Sequence, residues 1–387
     1  MNNCGKRILY VIHSNTFGGP HNQALQLAAP LAAAGFEVSV LVPDEPGDAV
    51  TRLREAGIAV DQMRLTRPRA KMGLRGAIVL PFRMIAQVLR LARYFKAEMV
   101  DIVQIHGALN FDAAAAGRLA GRAVVWQFID TRCPRPLIRL MKPLYSLADT
   151  VMSTGTAVGA LHLGARAKSV HTFFPPVRAA FFTDAHVRSR PQIVEILCVG
   201  NFNPQKGQRT LVKAVGTLPE HIARQIKVTL IGGKAHGHDK YLNDLHADIE
   251  AARSVPIRIV ESSAKSNVLD FVSRSHVLVV PSATRSEGIP TVLLEGMANG
   301  CLCVASDVGG VVEASGGRNQ LVAVVPPDDP FALAGAIQML IHESDFEKVS
   351  RASIDHASQT FAIDSCVATH VTAYQQALIG KPRRGAK

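Results

Sequence analysis

The chain has 387 residues, of which 48% are hydrophobic and 19% are charged. This length exceeds a usual single core and favours two domains of roughly 180 residues, and the composition excludes a disordered chain. The formal net charge of +12 favours polyanionic partners. Nucleic acid is not expected, because the sequence has no zinc-finger, helix-turn-helix or basic-zipper pattern and has only one Trp and five Tyr for base stacking. An anionic membrane surface fits the charge better.

The sequence has no uncharged apolar run of about eighteen residues or more, and residues 8–12 are too short for the apolar part of a signal peptide. We therefore expect a cytoplasmic protein. Six scattered cysteines show no paired metal-ligand spacing, so reduced structural thiols are expected. They are Cys4, Cys133, Cys198, Cys301, Cys303 and Cys366.

The first half alternates short apolar strands with helical segments, which is the order of a parallel sheet. Strands are predicted at residues 7–13, 37–42, 58–63, 100–105 and 123–128. The first helix is predicted to bend near Gln26, because Pro30 interrupts it, and to end at Gly35. Its predicted buried face comprises Leu25, Ala28, Ala29 and Ala32.

A second α/β series follows a Pro-rich linker at about residues 175–190, and it predicts a second doubly wound domain. Its strands are predicted at residues 194–199, 228–231, 257–260, 277–280, 302–305 and 321–325. The domains are accordingly placed at residues 1–180 and 181–362. Ligands in open α/β sheets bind beyond the carboxyl ends of the strands, so two such sheets facing each other would form a binding cleft.

Two carboxylates, Glu287 and Glu295, lie eight positions apart around a predicted strand-to-helix turn. Pro290 suits the first helical position, and the amides from Gly288 and Ile289 onward are unpaired helix donors that can face an anion or sugar hydroxyls. Ionised carboxylates only accept hydrogen bonds, so the pair suits neighbouring hydroxyls. The alternative is two solvated glutamates beside an ordinary loop.

Two glycine-containing loops follow predicted strands. Gly18 and Gly19 precede the first helix, where a substrate can approach without steric hindrance from Cβ, although many such pairs are only turns. Residues 200–207 open a helix with the apolar face Leu211, Val215 and Leu218. Lys206 in that loop can reach a diphosphate, or it is a solvated lysine at a helix start.

These segments together resemble glycosyltransferase family 4, whose members are retaining enzymes of the GT-B fold. The signature runs from Glu287 to Glu295 and continues through residues 300–310 and Glu313. Residues 17–19, 101–107 and 199–207 match in the same order. The resemblance implies an α/β GT-B protein with two doubly wound, Rossmann-like domains facing a cleft. It also implies that a helix at residues 363–378, within a terminal segment 363–387, crosses back to the N-terminal acceptor-side domain.

The resemblance assigns roles to the site residues. Glu295 is expected to hold the ribose of a nucleoside diphosphate sugar, Glu287 the sugar hydroxyls and Lys206 the diphosphate. The catalytic candidates are Glu287, Lys206 and Asp130. The donor-binding candidates are Gly18, Gly19, Asn201, Lys206, Glu287, Gly288, Ile289, Pro290 and Glu295, and His106 and Arg285 are candidates for the cleft.

The chain departs from the family pattern at two positions. Asn201 stands where the family usually has an arginine, and an asparagine supplies no bidentate cation. Ile129 stands where many members have a histidine before the aspartate, here Asp130. We expect neither a cofactor nor a metal, because the sequence has no Asp-x-Asp and because Asp328 and Asp329 read as a helix cap.

A basic cluster precedes an apolar helix that contains Phe82, Ile85 and Leu89. It comprises Arg64, Arg67, Arg69, Lys71 and Arg75. Basic residues beside apolar ones suit peripheral attachment to the inner face of the cytoplasmic membrane, and the alternative is a solvated loop.

We therefore expect a retaining, metal-independent hexosyltransferase that uses a UDP- or GDP-linked sugar and a glycan or lipid-linked acceptor, in cell-surface polysaccharide or lipopolysaccharide synthesis. Two alternatives remain at this point. One is a GT-B sugar-nucleotide epimerase or hydrolase, and the other is a catalytically inactive nucleotide-sugar-binding protein.

Overall fold

The computed structural model describes residues 5–66, 74–164, 170–234, 237–261, 267–317, 321–343, 345–379 and 381, with no side-chain description for residues 74–78 and 343. The chain forms two compact units. Unit 1 comprises Met1–Ile129, Cys133–Phe173 and Ile363–Lys387, and unit 2 comprises Asp130–Arg132 and Phe174–Ala362. The first boundary thus falls at Phe173, a few residues before the linker position taken from the sequence.

Unit 1 is built on a seven-stranded sheet with the order β3-β2-β1-β4-β5-β6-β7, in which every pairing is parallel. The strands are β1 Lys6–Val11, β2 Phe36–Pro43, β3 Ala59–Met63, β4 Ile102–His106, β5 Ala123–Phe128, β6 Thr150–Thr154 and β7 His171–Phe173. The helices of this unit, numbered along the whole chain, are α1 Gly19–Ala33, α2 Ala49–Glu55, α3 Leu74–Ala97, α4 Phe111–Leu119, α5 Arg135–Met141, α6 Thr156–Leu163 and α16 Ile363–Ala377.

The first helix begins and ends as its sequence indicates, but it buries a different face. Gly35 has φ +88° just beyond α1, a conformation that glycine adopts without Cβ strain. The buried residues are Ala24, Leu27 and Leu31, whereas Ala29 and Ala32 are exposed. The predicted face was wrong, because small alanines on every side of the helix hide which stripe carries the large leucines that form the core.

Two short strands, β6 and β7, were not predicted. The β6 sequence Thr150–Thr154 mixes polar and apolar residues, and β7 has only three residues. Both are ordered by pairing at the sheet edge, which a local pattern does not reveal. The other unit 1 strands occur within two residues of the predicted bounds.

The C-terminal helix α16 is joined to the sheet of unit 1 by buried polar contacts. The hydroxyl of Tyr374 lies 2.9 Å from that of Tyr10 and donates to Gln104 Oε1 at 2.6 Å. Gln23 Nε2 on α1 lies 2.9 Å from His370 Nε2. Burial lowers the pKa of His370 to about 4, so its imidazole is neutral near pH 7. These contacts fix the position of α16 on the sheet, because each buried polar group needs a hydrogen-bond partner.

Unit 2 contains a six-stranded parallel sheet with the order β10-β9-β8-β11-β12-β13. Its strands are β8 Val194–Val199, β9 Ile226–Gly232, β10 Ile257–Glu261, β11 Val277–Val280, β12 Leu302–Ser306 and β13 Val322–Val325. Its helices are α7 Ala179–Thr183, α8 Gln208–Gly216, α9 Glu220–Ala223, α10 Asp239–Ala251, α11 Val268–Arg274, α12 Thr291–Ala298, α13 Val311–Ala314, α14 Pro330–Glu343 and α15 Phe346–Thr360. All six predicted strands are confirmed. Core side chains pack on both faces of the sheet.

The described cysteines are buried, as expected for structural thiols. Cys198 lies in β8 and Cys303 in β12, and burial raises the pKa of Cys198 to about 12. Asp329 caps α14 by accepting hydrogen bonds from the amides of Phe331 and Ala332. Within the described part of the chain, no helix combines the length and apolarity needed to cross a membrane.

Candidate functional site

The candidate donor site of unit 2 lies where two neighbouring strands lead in opposite directions. β8 connects outward to β9, and β11 connects the other way to β12, so the crevice between their carboxyl ends is a topological switch point. Ligands of open α/β sheets bind at such points. The loops that follow these two strands carry Lys206 and Glu287, the two residues singled out from the sequence.

Lys206 and Glu287 form an ion pair across this switch point. The Lys206 ammonium donates to Glu287 Oε1, and Ser282 Oγ lies 3.5 Å from the same oxygen. Lys206 ends a short 3₁₀ turn, Pro204–Lys206, before α8. Both side chains remain partly exposed, so the pair is a cation and a carboxylate available to a ligand.

A left-handed glycine makes the Lys206 turn possible. Gly207 has φ +63°, and a Cβ there would lie 1.8 Å from the carbonyl oxygen of Pro281. The loop after β8 therefore packs backbone against backbone on the end of β11. This contact fixes Lys206 beside the loop that carries Glu287.

Residues 130–132 belong to unit 2 and support the Glu287 loop. Thr131 Oγ1 donates to the carbonyl oxygen of Glu287 at 2.9 Å, and Arg285, at φ +57°, donates to the carbonyl oxygen of Thr131 at 3.3 Å. Asp130 accepts hydrogen bonds from the backbone amide and guanidinium of Arg132. The structure thus places Thr131 and Arg285 against the backbone that carries Glu287, and Asp130 beside Arg132.

Glu295 lies in the second turn of α12, and Pro290 is the residue that precedes that helix rather than its first residue. The Glu295 side chain is 12% exposed, and its Oε1 lies 3.8 Å from Nε of Arg178. Burial raises the pKa of Glu295 to about 7, although the charge of Arg178 opposes the shift. A hydrogen-bond donor that favours the ionised carboxylate would oppose this shift.

The turn between Glu287 and α12 is tied to the loop after β12. The carbonyl oxygen of Gly288 accepts a hydrogen bond from the amide of Gly310 at 2.8 Å, and Ile289 is buried. Gly309 has φ +53°, and a Cβ there would lie 1.8 Å from the Gly288 oxygen. The glycines of residues 309–310 thus allow this close approach.

Comparison with known proteins assigns the fold and family. Residues 194–343 match the family described as "Glycosyl transferases group 1", and residues 18–182 match "Glycosyl transferase 4-like domain". This chain belongs to the family-4-type glycosyltransferases of the GT-B fold. D-inositol 3-phosphate glycosyltransferase of Jonesia denitrificans is 24% identical over 63% of this chain, and the match spans 61% of that relative's length, which is less than two thirds.

Solved structures show the same fold. A glycosyltransferase from Rickettsia africae has a TM-score of 0.78 at 17% identity, and the match covers 97% of this chain and 100% of that one. Anabaena Alr3699/HepE in complex with UDP-glucose has a TM-score of 0.76 at 18% identity, and the match covers 96% of this chain and 100% of that one. At these identities the likeness establishes the fold alone.

The unit 1 candidates of this glycosyltransferase lie at the carboxyl edge of its own sheet. Gly18 precedes α1, and Gly19 opens that helix with space around it for a Cβ. His106 ends β4 in the interior, with its ring centroid 4.9 Å from that of Tyr10. Burial lowers the pKa of His106 to about 3, so it is a neutral buried group near pH 7. In unit 2, Asn201 is exposed, and its carbonyl oxygen accepts from Gln208.

Three of the five residues in the predicted basic cluster, Arg67, Arg69 and Lys71, lie outside the described residues. The side chain of Arg75 is also not described, and Arg64 is exposed. The structure nevertheless describes the outward face of α3 from residue 79 onward. Its exposed apolar side chains are Val79, Phe82, Ile85 and Leu89, with Phe82 72% and Ile85 60% exposed. Exposed arginines on the same helix are Arg83, Arg90 and Arg93.

Several supporting residues of the site were missed by sequence reasoning. Arg178, Thr131 and Ser282 contact the predicted glutamates, but each is an unremarkable residue in a loop or at a helix start. Asp328 was assigned only to a cap, whereas its carboxylate accepts from the amide and hydroxyl of Thr284 and so braces the loop before Glu287. Of these residues, only Arg178 was marked by the local sequence, because it ends the Pro-rich stretch at residues 174–178.

Proposed function

We propose that this chain transfers a hexose from a UDP- or GDP-linked sugar to a glycan or lipid-linked acceptor, with retention of configuration. The observation that carries the proposal is the Lys206–Glu287 pair at the switch point of unit 2. The buried Glu295 on the next helix supplies a second acceptor group. The related proteins support this reading, since Anabaena Alr3699/HepE forms a complex with UDP-glucose and the Jonesia denitrificans relative is a glycosyltransferase.

The ion pair suggests how donor binding would rearrange the site. Lys206 would leave Glu287 for the diphosphate, and Glu287 would then accept hydrogen bonds from the sugar hydroxyls. Because the lysine and glutamate satisfy each other in the absence of ligand, neither charge is left without a partner before donor arrives. Lys206 would stabilise the leaving diphosphate, in place of a divalent ion.

The acceptor and pathway extend the same proposal. A glycan or glycolipid acceptor, in cell-surface polysaccharide or lipopolysaccharide synthesis, fits a hexosyltransferase that works next to a membrane. Asn201 and Ile129 favour one second candidate, a nucleotide-sugar-binding protein without catalysis, because they replace polar groups that the resembling family usually has. Turnover distinguishes the two functions, since both predict nucleotide binding.

The outward face of α3 supports peripheral attachment to an anionic membrane. Its inner face packs into the core through Leu91, Ala92 and Phe95, which leaves Phe82 and Ile85 exposed on the outer face. Exposed apolar residues can enter the headgroup region while neighbouring arginines contact anionic lipid. The attachment surface proposed here is therefore this face together with the basic segment that precedes it.

Calorimetry with UDP and with GDP on the full chain tests the donor proposal. We expect one of them to bind, and Glu295→Ala to weaken that binding relative to Glu250→Ala, a control at an exposed glutamate on α10. Release of nucleoside diphosphate from the matching sugar nucleotide then tests catalysis. Failure of both nucleotides to bind would refute the proposal, and binding without turnover would favour the inactive binding protein.

A further inference from the structure

Unit 2 has a second concave site beside the turn that carries Lys206. A cleft of about 360 Å³ lies between this turn and the start of α10, and we call it the α8–α10 cleft. Its lining includes Pro204, Arg209, Thr210, His238, Tyr241 and Asp244. None of the described residues that line it is Lys206, Glu287 or Glu295, so it is separate from the candidate donor site. Its volume falls within the range of about 300 to 1,000 Å³ for small-molecule sites.

The acidic and basic side chains of this cleft already neutralise one another. Arg209 donates to Asp248 Oδ2 at 2.6 Å and to Asp244 Oδ2 at 2.9 Å, and Lys240 Nζ lies 3.4 Å from Asp244 Oδ2. Two cations thus meet two carboxylates, whereas a phosphate site needs cations that are not already matched. The side chains of Arg209 and Asp244 are still 30% and 34% exposed, so both can contact a ligand.

The hydrogen-bonding groups of the cleft suit a neutral ligand with several hydroxyls. Thr210 supplies a hydroxyl, His238 an imidazole, and Asp244 a carboxylate that accepts up to about four hydrogen bonds. A hydroxyl both donates and accepts, so neighbouring hydroxyls of a sugar can meet a guanidinium and a carboxylate side by side. The lining therefore favours a short saccharide over an anion.

A buried series of hydrogen bonds connects the cleft to the donor loop. The hydroxyl of Tyr241 donates to Gln208 Oε1 at 2.9 Å, and Gln208 Nε2 donates to the carbonyl oxygens of Gly200 at 2.9 Å and Asn201 at 3.2 Å. The aliphatic stem of Lys206 packs on Gly200, where an added Cβ would lie 3.0 Å from Cγ and Cδ. Tyr241 and Gln208 are both buried, so each needs the other as a partner. A ligand that holds Tyr241 in place therefore also steadies the backbone beside Lys206.

We propose that the α8–α10 cleft binds a saccharide and that its occupancy strengthens nucleotide binding at Lys206. The inference rests on the proposed transferase function and adds a second saccharide site that regulates donor binding. A ligand that bridges α8 and α10 orders the loop between β8 and α8 in advance, which lowers the entropy cost of binding the donor. The coupling is reciprocal, so nucleotide strengthens saccharide binding by the same factor.

NMR of isotope-labelled tyrosine rings, on the full chain, tests the site. The chain has five tyrosines, and Tyr241 alone belongs to unit 2, so its signal is assigned by its loss in Tyr241→Phe. The probes are the methyl α-glycosides of D-glucose, D-galactose and D-mannose, with inorganic phosphate as the anionic alternative. We expect at least one glycoside to shift the Tyr241 signal. Asp244→Asn should weaken that glycoside by about tenfold or more, the value of a hydrogen bond to a charged group, and Glu250→Gln, at an exposed position of the same helix, should not.

Calorimetry with the nucleotide that binds, with and without saturating glycoside, tests the coupling. Nucleotide affinity should rise by about fivefold or more in wild type. It should not rise in Tyr241→Phe, which keeps the cleft but removes the hydrogen bond to Gln208. A Tyr241 signal that no glycoside shifts, or that phosphate alone shifts, overturns the saccharide site. A rise that is absent in wild type, or that persists in Tyr241→Phe, overturns the coupling. If neither UDP nor GDP binds, the proposed function fails, and the Tyr241 signal still decides whether the cleft binds a saccharide.

Discussion

Glu295 Oε1 lies 3.8 Å from Nε of Arg178, yet burial outweighs this attraction and raises the pKa of Glu295 to about 7. Arg178 is itself partly solvated and is placed over the ring of Phe181, with 4.9 Å between guanidinium and ring centre. The site thus holds a carboxyl group that changes charge near neutral pH. A ligand that needs the ionised form must displace the proton.

The first prediction concerns stability and pH. Between the ordinary pKa of 4.5 and about 7 the folded protein holds a proton that the unfolded chain has lost, so rising pH should lower stability across this window. The total loss is about 3 kcal/mol, at about 1.4 kcal/mol per unit of pKa. Glu295→Gln removes this titration. Urea unfolding at pH 5 and pH 8 should show the variant gaining stability relative to wild type at the higher pH, and a pH-independent difference would contradict the assignment.

The second prediction is that nucleotide binding expels this proton. A ribose hydroxyl that donates to the ionised carboxylate would favour that form, so binding should lower the pKa of Glu295 and release up to one proton near pH 6.5. Calorimetry in two buffers with different ionisation enthalpies measures that release. Glu295→Gln should bind more weakly, by the roughly 1.5 to 3 kcal/mol of a hydrogen bond to a charged group, and should release no proton from this position. Equal proton release by both proteins would exclude Glu295 as the source.

The positions of the candidate site residues in the fold were predictable from sequence where the geometry is local. The loops after β8 and β11, Lys206 before a helix and Glu295 within the next helix all follow from strand, glycine and helix-start signals close in the chain. The supporting contacts are not local. Thr131 reaches Glu287 across 156 positions, and Arg178 meets Glu295 only after the chain has folded. The periodicity of the sequence does not reveal such pairs, because they form only when the chain packs into its tertiary structure.

The same limit explains what was missed in unit 1. His13 and Asp112, with Nε2 and Oδ2 only 3.7 Å apart, carry no shared spacing, and they are neighbours only because β1 and β4 are adjacent in the sheet. Arg188, in unit 2, is a further case. It is buried, and its guanidinium donates to the carbonyl oxygens of Val272 and Ser275 near the end of α11. A sequence reading places arginine at the surface by default.

The third prediction concerns Lys206 and Glu287. Lys206→Ala should remove a charged contact to the diphosphate and lower donor turnover by about 10- to 100-fold, from the 1.5 to 3 kcal/mol of such a contact. Glu287→Ala should reduce turnover of the sugar nucleotide more than binding of the bare nucleotide. Lys213→Ala, at an exposed position of α8, is the matched control. Wild-type turnover by Lys206→Ala would refute the diphosphate role.

Asn201→Arg introduces the arginine that the resembling family usually has at this position, and it should strengthen donor binding.

The fourth prediction concerns membrane attachment. The double variant Phe82→Ser and Ile85→Ser should lose co-sedimentation with anionic liposomes, because it removes the apolar contact of α3. Phe331→Ser, which removes an equally exposed phenylalanine from unit 2, should retain it. Arg83→Ser with Arg93→Ser should weaken binding most at low salt, since such attraction decays within about 8 Å at physiological ionic strength. Equal sedimentation of all variants would show that this face does not meet the membrane.

The last prediction concerns Gly207, the glycine whose backbone contact positions Lys206. Gly207→Ala introduces left-handed backbone strain of about 1 to 2 kcal/mol and places Cβ 1.8 Å from the Pro281 carbonyl oxygen, so the loop must move. Gly237→Ala is the matched control, because Gly237 has φ +77° but nothing within 4 Å of the added Cβ. Both variants should lose stability in urea unfolding, and only Gly207→Ala should also lose donor affinity beyond that expected from unfolding. Equal donor affinity in the two variants would mean that the backbone contact between the β8 and β11 loops does not position Lys206.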